Sequence, residues 1–208
     1  MGIQPDVVDF VDRPTMAIFE GEYAGAMPIA LPLHRSYLGG AFAEAGYTRG
    51  AEIGVWEGGF AEKLCQPNPG LKLICVDPWK SQPDYKEGKN EPARMEQAYH
   101  TALARLAPFD CTFLKMTSVE AARHVPDGSL DFIYLDANHL VAHVQSDLEL
   151  WVPKVRQGGV VAGHDYTGKP KSFIQVKPAV DAYTRSRGIT KWFLLSADKS
   201  GSFLWVVT

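Results

Sequence analysis

An α/β fold with a mostly parallel sheet is what this sequence predicts, and three observations predict it. Short runs dense in Val, Ile, Leu and Phe alternate with helix-periodic stretches from Arg49 to the end of the chain. The run GGVVAGHDY, residues 158–166, is small and apolar for six residues, as a strand covered on both faces would be. The last 18 residues read instead as two strands joined by a tight turn. At 208 residues, with 46% hydrophobic and 22% charged, the chain is long enough for one domain with a substantial core.

Taken in order, residues 1–48 carry several prolines and glycines, no clear strand, and a helical pattern at 34–45; they read as an N-terminal arm or cap. Residues 49–208 read as the main domain. Its strands fall at 50–55, 71–76, 111–114, 130–135 and 159–162. A glycine turn leads from the first of these into a helical stretch at 60–64. The segment 92–106 sets Met95, Ala98, Tyr99, Ala102 and Leu106 on one helical face, with Pro92 in its first turn. Val141, Val144, Leu148 and Trp151 repeat that pattern further on. KWFLLSA and SFLWVVT flank Asp198-Lys199-Ser200-Gly201, which reads as a hairpin turn. Connections in α/β units usually take about two to six residues, so the polar and aromatic loop at 78–91 reads either as a lid or as a solvated insertion.

The net charge of −3 gives no basic face on average, so no nucleic-acid partner is expected. No apolar run approaches the roughly 18–20 residues that cross a bilayer, and Asp6, Asp9 and Asp12 stand where a signal peptide would be basic, so a cytoplasmic protein without membrane association is expected. Cys65, Cys75 and Cys111, odd in number and without CxxC spacing, read as reduced structural thiols.

The chemistry-bearing residues collect at strand ends. Glu52, Gly54 and Gly58 lie in EIGVWEGGF, where glycines let a ligand approach the backbone and the next helix offers free N–H groups. Asp77 ends the second strand, where a carboxylate can accept both hydroxyls of a ribose. The GxxxG spacing differs from the GxGxxG of dinucleotide pyrophosphate sites, and Glu52 would repel phosphates. Charge therefore favours a cationic sulfonium cofactor such as S-adenosylmethionine, whose amino group Glu52 would hold. Asp136 and His139 follow the fourth strand, and His164 and Asp165 follow the fifth. Adjacent strands would bring them together as oxygen and nitrogen ligands for a divalent cation, Mg²⁺ or Mn²⁺, with His139 left as a base. The plainer alternative is that each aspartate caps a helix and each histidine is simply hydrogen-bonded. His139 and His143 have the spacing of a zinc pair, but the HExxH glutamate is missing. Trp79, Tyr85, Trp151 and Tyr166 are aromatic candidates for the pocket, with Trp151 at core spacing.

Set in order, EIGVWEGGF, VDPW, DFIYLDANH and GGVVAGHDY resemble the class I S-adenosylmethionine-dependent methyltransferases. The closer likeness is to the metal-assisted O-methyltransferase branch that includes enzymes acting on macrolide sugars, with catechol O-methyltransferases more distant. The resemblance implies a Rossmann-like, doubly wound, mostly parallel seven-stranded sheet with a C-terminal antiparallel hairpin. It implies Glu52, Gly54, Gly58 and Asp77 as cofactor contacts, with Ser118 near the adenine. Asp136, His164 and Asp165 would be metal ligands and His139 the base; His164 is the departure from the family pattern, since relatives usually carry a carboxylate there. A small-molecule hydroxyl, on a sugar, catechol or similar diol, is the implied acceptor, and a homodimer is the default assembly. A nicotinamide-dependent oxidoreductase and a catalytically silent binding module are the competing readings.

Overall fold

The computed structural model describes residues 15–23, 25–82, 90–167 and 173–208. The chain runs α1 (Ala17–Glu20), β1 (Ile29–Leu31), α2 (Tyr37–Glu44), β2 (Arg49–Ile53), α3 (Gly59–Cys65), β3 (Lys72–Val76), α4 (Pro92–Leu106) and β4 (Asp110–Leu114). It continues through α5 (Ser118–Ala121), β5 (Leu130–Leu135), α6 (Val141–Trp151), β6 (Val155–Gly163), α7 (Val176–Ser186), β7 (Phe193–Leu195) and β8 (Ser202–Val206). All belong to one architecture: a single sheet in the order β1-β7-β8-β6-β5-β2-β3-β4, with helices on both faces. Its strands pair in parallel except at β6–β8 and β7–β8. This is the doubly wound α/β arrangement that the sequence predicts.

The sheet has eight strands rather than seven, which corrects the reading of the N-terminal stretch as strandless. β1 pairs in parallel with β7, from Ile29 against Phe193 to Leu31 against Leu195, so the arm and not the terminal hairpin forms that edge. Three residues are enough because β7 supplies the ladder that so short a segment cannot hold alone. Helix α7 also lies outside the predicted elements, although Val176, Ala179, Val180 and Tyr183 are buried at helical spacing.

Two apolar layers flank the sheet, and β5 shows why. Its Phe132 and Tyr134 project into the layer of Phe42 and Phe60, while Ile133 and Leu135 project into that of Leu148 and Trp151. Successive side chains of a strand take opposite faces, so a strand covered on both must be apolar throughout. Phe42 stacks on Phe132 with centroids 4.3 Å apart, fixing α2 over the sheet. All three cysteines are free thiols; Cys65 and Cys75 are buried and Cys111 is partly so. The ends of the 78–91 loop are tied by bonds from Ser81 Oγ to the Asn90 carbonyl, 2.8 Å, and from Gln82 N to Asn90 Oδ1, 2.8 Å; residues 83–89, with Tyr85, lie outside the described residues. No helix among the described residues is long and apolar enough to cross a membrane.

Candidate functional site

The predicted residues meet along the carboxyl rim of the sheet. Backbone pairing continues one step past the strands: Gly54 N donates to Val76 O at 2.8 Å, Asp136 N to Ile53 O at 2.7 Å and His164 N to Leu135 O at 2.9 Å. Gly54, Asp136 and His164 therefore stand in a row across β2, β5 and β6. The strand order reverses between β2 and β5, the place where open α/β sheets leave a ligand crevice.

The glycine turn is shaped for close approach. Gly54 has φ +94°, and a Cβ there would lie 2.1 Å from the Asp136 carbonyl oxygen, so only glycine lets the β5 end come so near. Gly58, φ +76°, is the N-cap of α3. Between them Trp56 holds the left-handed conformation at φ +51°, a strained geometry that tends to accompany binding sites. Asp77 grips this turn: Oδ2 accepts from Val55 N at 3.1 Å and Trp56 N at 2.9 Å, and Oδ1 from Trp79 N at 2.8 Å. Burial pushes the Asp77 carboxyl up despite these three donors. Its oxygens keep further lone pairs for a ligand, so the acid both builds the turn and faces the cavity beside it.

Glu52 is 1% exposed, and its Oε2 has no hydrogen-bond partner among the described residues. Burial above all, and then the nearby Asp136, push its carboxyl well above the usual carboxylate range, while Arg35 pulls it back. A raised acid adds stability in full below its unfolded pKa and loses it as pH rises through the folded one. Glu52→Gln, neutral throughout, is therefore expected to melt above the wild type at pH 8 and to match it near pH 4, by ~2–4 °C for each kcal/mol relieved. Thermal unfolding of both proteins at the two pH values checks this, and equal melting temperatures at pH 8 would contradict it.

Two cavities adjoin at Gly54, Trp56 and Asp136. One, about 290 Å³, is lined by Asp77, Met95, Thr117, Ser118, Asn138 and Asp147 among others. The second, about 350 Å³, holds Arg35, Glu52, Phe60, His139, His164 and Asp165. Of the predicted cofactor contacts, Asp77 and Ser118 line the first chamber, Glu52 the second and Gly54 both, while Gly58 lines neither; Asp136 borders both chambers, and His139, His164 and Asp165 line the second.

In the second chamber, His139 Nε2 lies 3.1 Å from Asp165 Oδ2 and 3.6 Å from Asp136 Oδ1. His164 Nδ1 lies 3.3 Å from Asp165 Oδ2 and 3.9 Å from Asp136 Oδ1. Against burial, which pushes the Asp165 carboxyl up, the hydrogen bond from His164 and the charge of His139 hold it at about 2. Asp165 reaches the cluster through a left-handed backbone, φ +55°. Asp136, His139 and Asp165 each offer a ligand atom, all within 4.8 Å of one another. One nitrogen and two carboxylate oxygens suit Mn²⁺ or Mg²⁺. This grouping takes in His139, read from sequence as the base, and sets His164 beside it.

Arg35, from the segment before α2, is the principal residue that sequence reasoning missed. Its Nη1 donates to Asp136 Oδ2 at 3.1 Å, its guanidinium lies 5.0 Å from the Phe60 ring centre, and its backbone N donates to Asp198 Oδ2 at 3.0 Å. The N-terminal segment thereby supplies a cation to a chamber rich in acids. Trp56 and Asp147 were missed as well. Of the aromatic candidates, Trp79, Trp151 and Tyr166 are 2%, 0% and 7% exposed and belong to the core. Trp79 donates its Nε1–H to the Trp56 carbonyl at 2.8 Å, and Tyr166 packs edge-on against Trp192. They brace the loops rather than line the chambers.

Residues 51–166 match the methyltransferase domain family. An uncharacterized protein of Sinorhizobium fredii is 32% identical over 108 residues, 51% of this chain but 11% of that protein, so the chain spans a small part of this relative. A structure of a putative caffeoyl-CoA O-methyltransferase from Staphylococcus aureus superposes with a TM-score of 0.63 at 11% identity, over 98% of this chain and 93% of that one. An O-methyltransferase from Bacillus cereus, solved in complex with SAH, gives 0.60 at 15% identity over 83% and 80%. At these identities the structures share the fold.

Proposed function

The chain belongs to the methyltransferase domain family, and from that premise we propose that it transfers the methyl group of S-adenosylmethionine to a hydroxyl oxygen of a small molecule with the help of a divalent cation. The observation that carries this reading is the shared wall: a glycine cradle that a Cβ would fill separates a chamber with a ribose-type acid from one with a cluster of histidines and carboxylates. The caffeoyl-CoA and SAH named for the two solved structures support an oxygen acceptor and this cofactor.

The cofactor, when bound, supplies an electrophilic methyl carbon on a cationic sulfur. Glu52, whose Oε2 lacks a partner among the described residues, offers a carboxylate to the ammonium of the cofactor's amino-acid end, and Asp77 takes the ribose hydroxyls. Asp136 and Asp165, with His139 or His164, would hold the cation, which supplies Lewis acidity to an acceptor hydroxyl. His139 takes the hydroxyl proton when His164 completes the ligand set; when His139 is itself a ligand, His164 remains for that task. Arg35 balances the charge of Asp136 and fixes the carboxylate's direction. Holding oxygen, methyl carbon and sulfur in line supplies several kcal/mol, in order of magnitude, of barrier lowering. The acceptor is a small molecule rather than nucleic acid, and a sugar hydroxyl, a catechol or another vicinal diol suits the second chamber.

Treatment with a chelator is expected to abolish methylation of a catechol or sugar acceptor, and added Mn²⁺ or Mg²⁺ to restore it. Full turnover by the metal-free protein would make the histidine and carboxylate cluster structural. Calorimetric titration with SAH and with NAD⁺ separates the methyltransferase from the oxidoreductase reading, since binding of NAD⁺ alone would overturn it.

A further inference from the structure

The first chamber contains a buried acid that the cofactor reading so far leaves without a task. Asp147 lies in α6 on the inward side with Val144, Leu148 and Trp151, and it is 5% exposed. An acid among apolar neighbours lowers stability unless its charge is used. Ser118 Oγ donates to its Oδ1, and the second carboxylate oxygen remains for a donor from the chamber that both residues line. Burial pushes the carboxyl up to about 6, so at neutral pH the group is mainly an acceptor.

Ser118 enters this chamber from α5, one loop beyond β4, and Asp77 enters it from the end of β3. Asp77 lies against the glycine turn, on the side shared with the reacting chamber. A nucleoside whose ribose meets Asp77 has its base directed into the rest of the chamber, among Met95, Ser118 and Asp147. A carboxylate only accepts hydrogen bonds. Adenine presents a donating amine at position 6, whereas hypoxanthine and guanine present an oxygen there, which a buried carboxylate repels.

We propose that Asp147 is the base-selecting residue of the cofactor site: its carboxylate, held by Ser118, accepts from the 6-amino group of adenine and rejects 6-oxopurines. The proposal rests on the S-adenosylmethionine reading above and extends it to a residue outside the glycine turn and the metal cluster.

The test is calorimetric binding of SAH and of S-inosylhomocysteine, which differ at position 6 of the base, to the wild type, Asp147→Asn and Ser118→Ala, with folding checked by thermal unfolding. The wild type is expected to prefer SAH by ~10- to 100-fold, the range for a hydrogen bond to a charged acceptor. Asp147→Asn, whose amide can also donate, should bind SAH less tightly and S-inosylhomocysteine more tightly, narrowing the preference to about threefold or less. Ser118→Ala should weaken SAH while keeping the preference, since the charge remains. A merely structural role would lower both affinities together and leave their ratio unchanged, and an unchanged ratio in Asp147→Asn overturns the proposal. So does a wild type without preference, which decides the matter even if the Asn variant fails to fold. A wild type that binds neither ligand removes the cofactor reading itself, and the proposal with it.

Discussion

Replacing His139 by alanine is expected to lower kcat by about 10²- to 10⁴-fold, the usual contribution of a positioned base, while SAH affinity stays nearly unchanged. The residue is 9% exposed and its imidazole lies between Asp136 and Asp165, so its loss removes a nitrogen close to both carboxylates. The backbone at this position has a separate duty, because the His139 carbonyl accepts from Gln175 N at 2.7 Å and helps seat the segment before α7. Alanine keeps that bond, so the fold should survive. Steady-state kinetics and thermal unfolding on the same preparation decide whether the side chain is catalytic or only packs: near-normal turnover in a destabilised protein would end the assignment. Mn²⁺ titration of the variant then separates the two chemical roles. Unchanged affinity identifies a base, and a drop of about tenfold or more identifies a ligand.

Gly54→Ala is expected to cost ~3 kcal/mol or more, because two penalties coincide. The residue sits at φ +94°, where an L side chain is strained, and the new methyl would lie 2.1 Å from a backbone oxygen of Asp136 that has no flexible end to move aside. Relief requires β2 and β5 to part just where the chambers share their wall. A fall of about 6–12 °C in melting temperature should accompany a loss of SAH binding. Gly46 also has a positive φ, +70°, but a Cβ there would meet nothing within 4 Å, so Gly46→Ala isolates the backbone strain. Equal melting temperatures for the two variants would show that the close approach to Asp136 does not matter.

The sequence by itself determined the strand-and-helix alternation and the rim on which the site stands. β5 is read correctly at 130–135 because a strand covered on both faces must be apolar throughout, and α4 at 92–106 because Pro92 and the apolar spacing mark its start and its inner face. Acids and histidines just after apolar runs mark strand ends, and parallel strands send those ends to one side of a sheet; Asp77, Asp136, His139, His164 and Asp165 were legible for that reason, whereas Glu52 lies inside β2 and stood out only as an acid within the glycine motif. α7 had the same periodic signal, with Pro178 in its first turn. Tertiary structure alone decided the rest. β1 is three residues long, and it is a strand only because β7 is there to pair with it. Arg35 reaches Asp136 across 101 positions of sequence, a pairing that no local pattern encodes. Asp147 shows in sequence only as a polar break in an apolar helix face, and its place in the chamber depends on how α6 packs. Whether His139 or His164 completes the carboxylate pair turns on side-chain directions of a few ångströms, which follow from the left-handed backbone at Asp165 and the register of β5 against β6. Periodicity reports which face of an element is buried; the distance between two side chains on different elements is fixed only when the sheet and its helices are packed together.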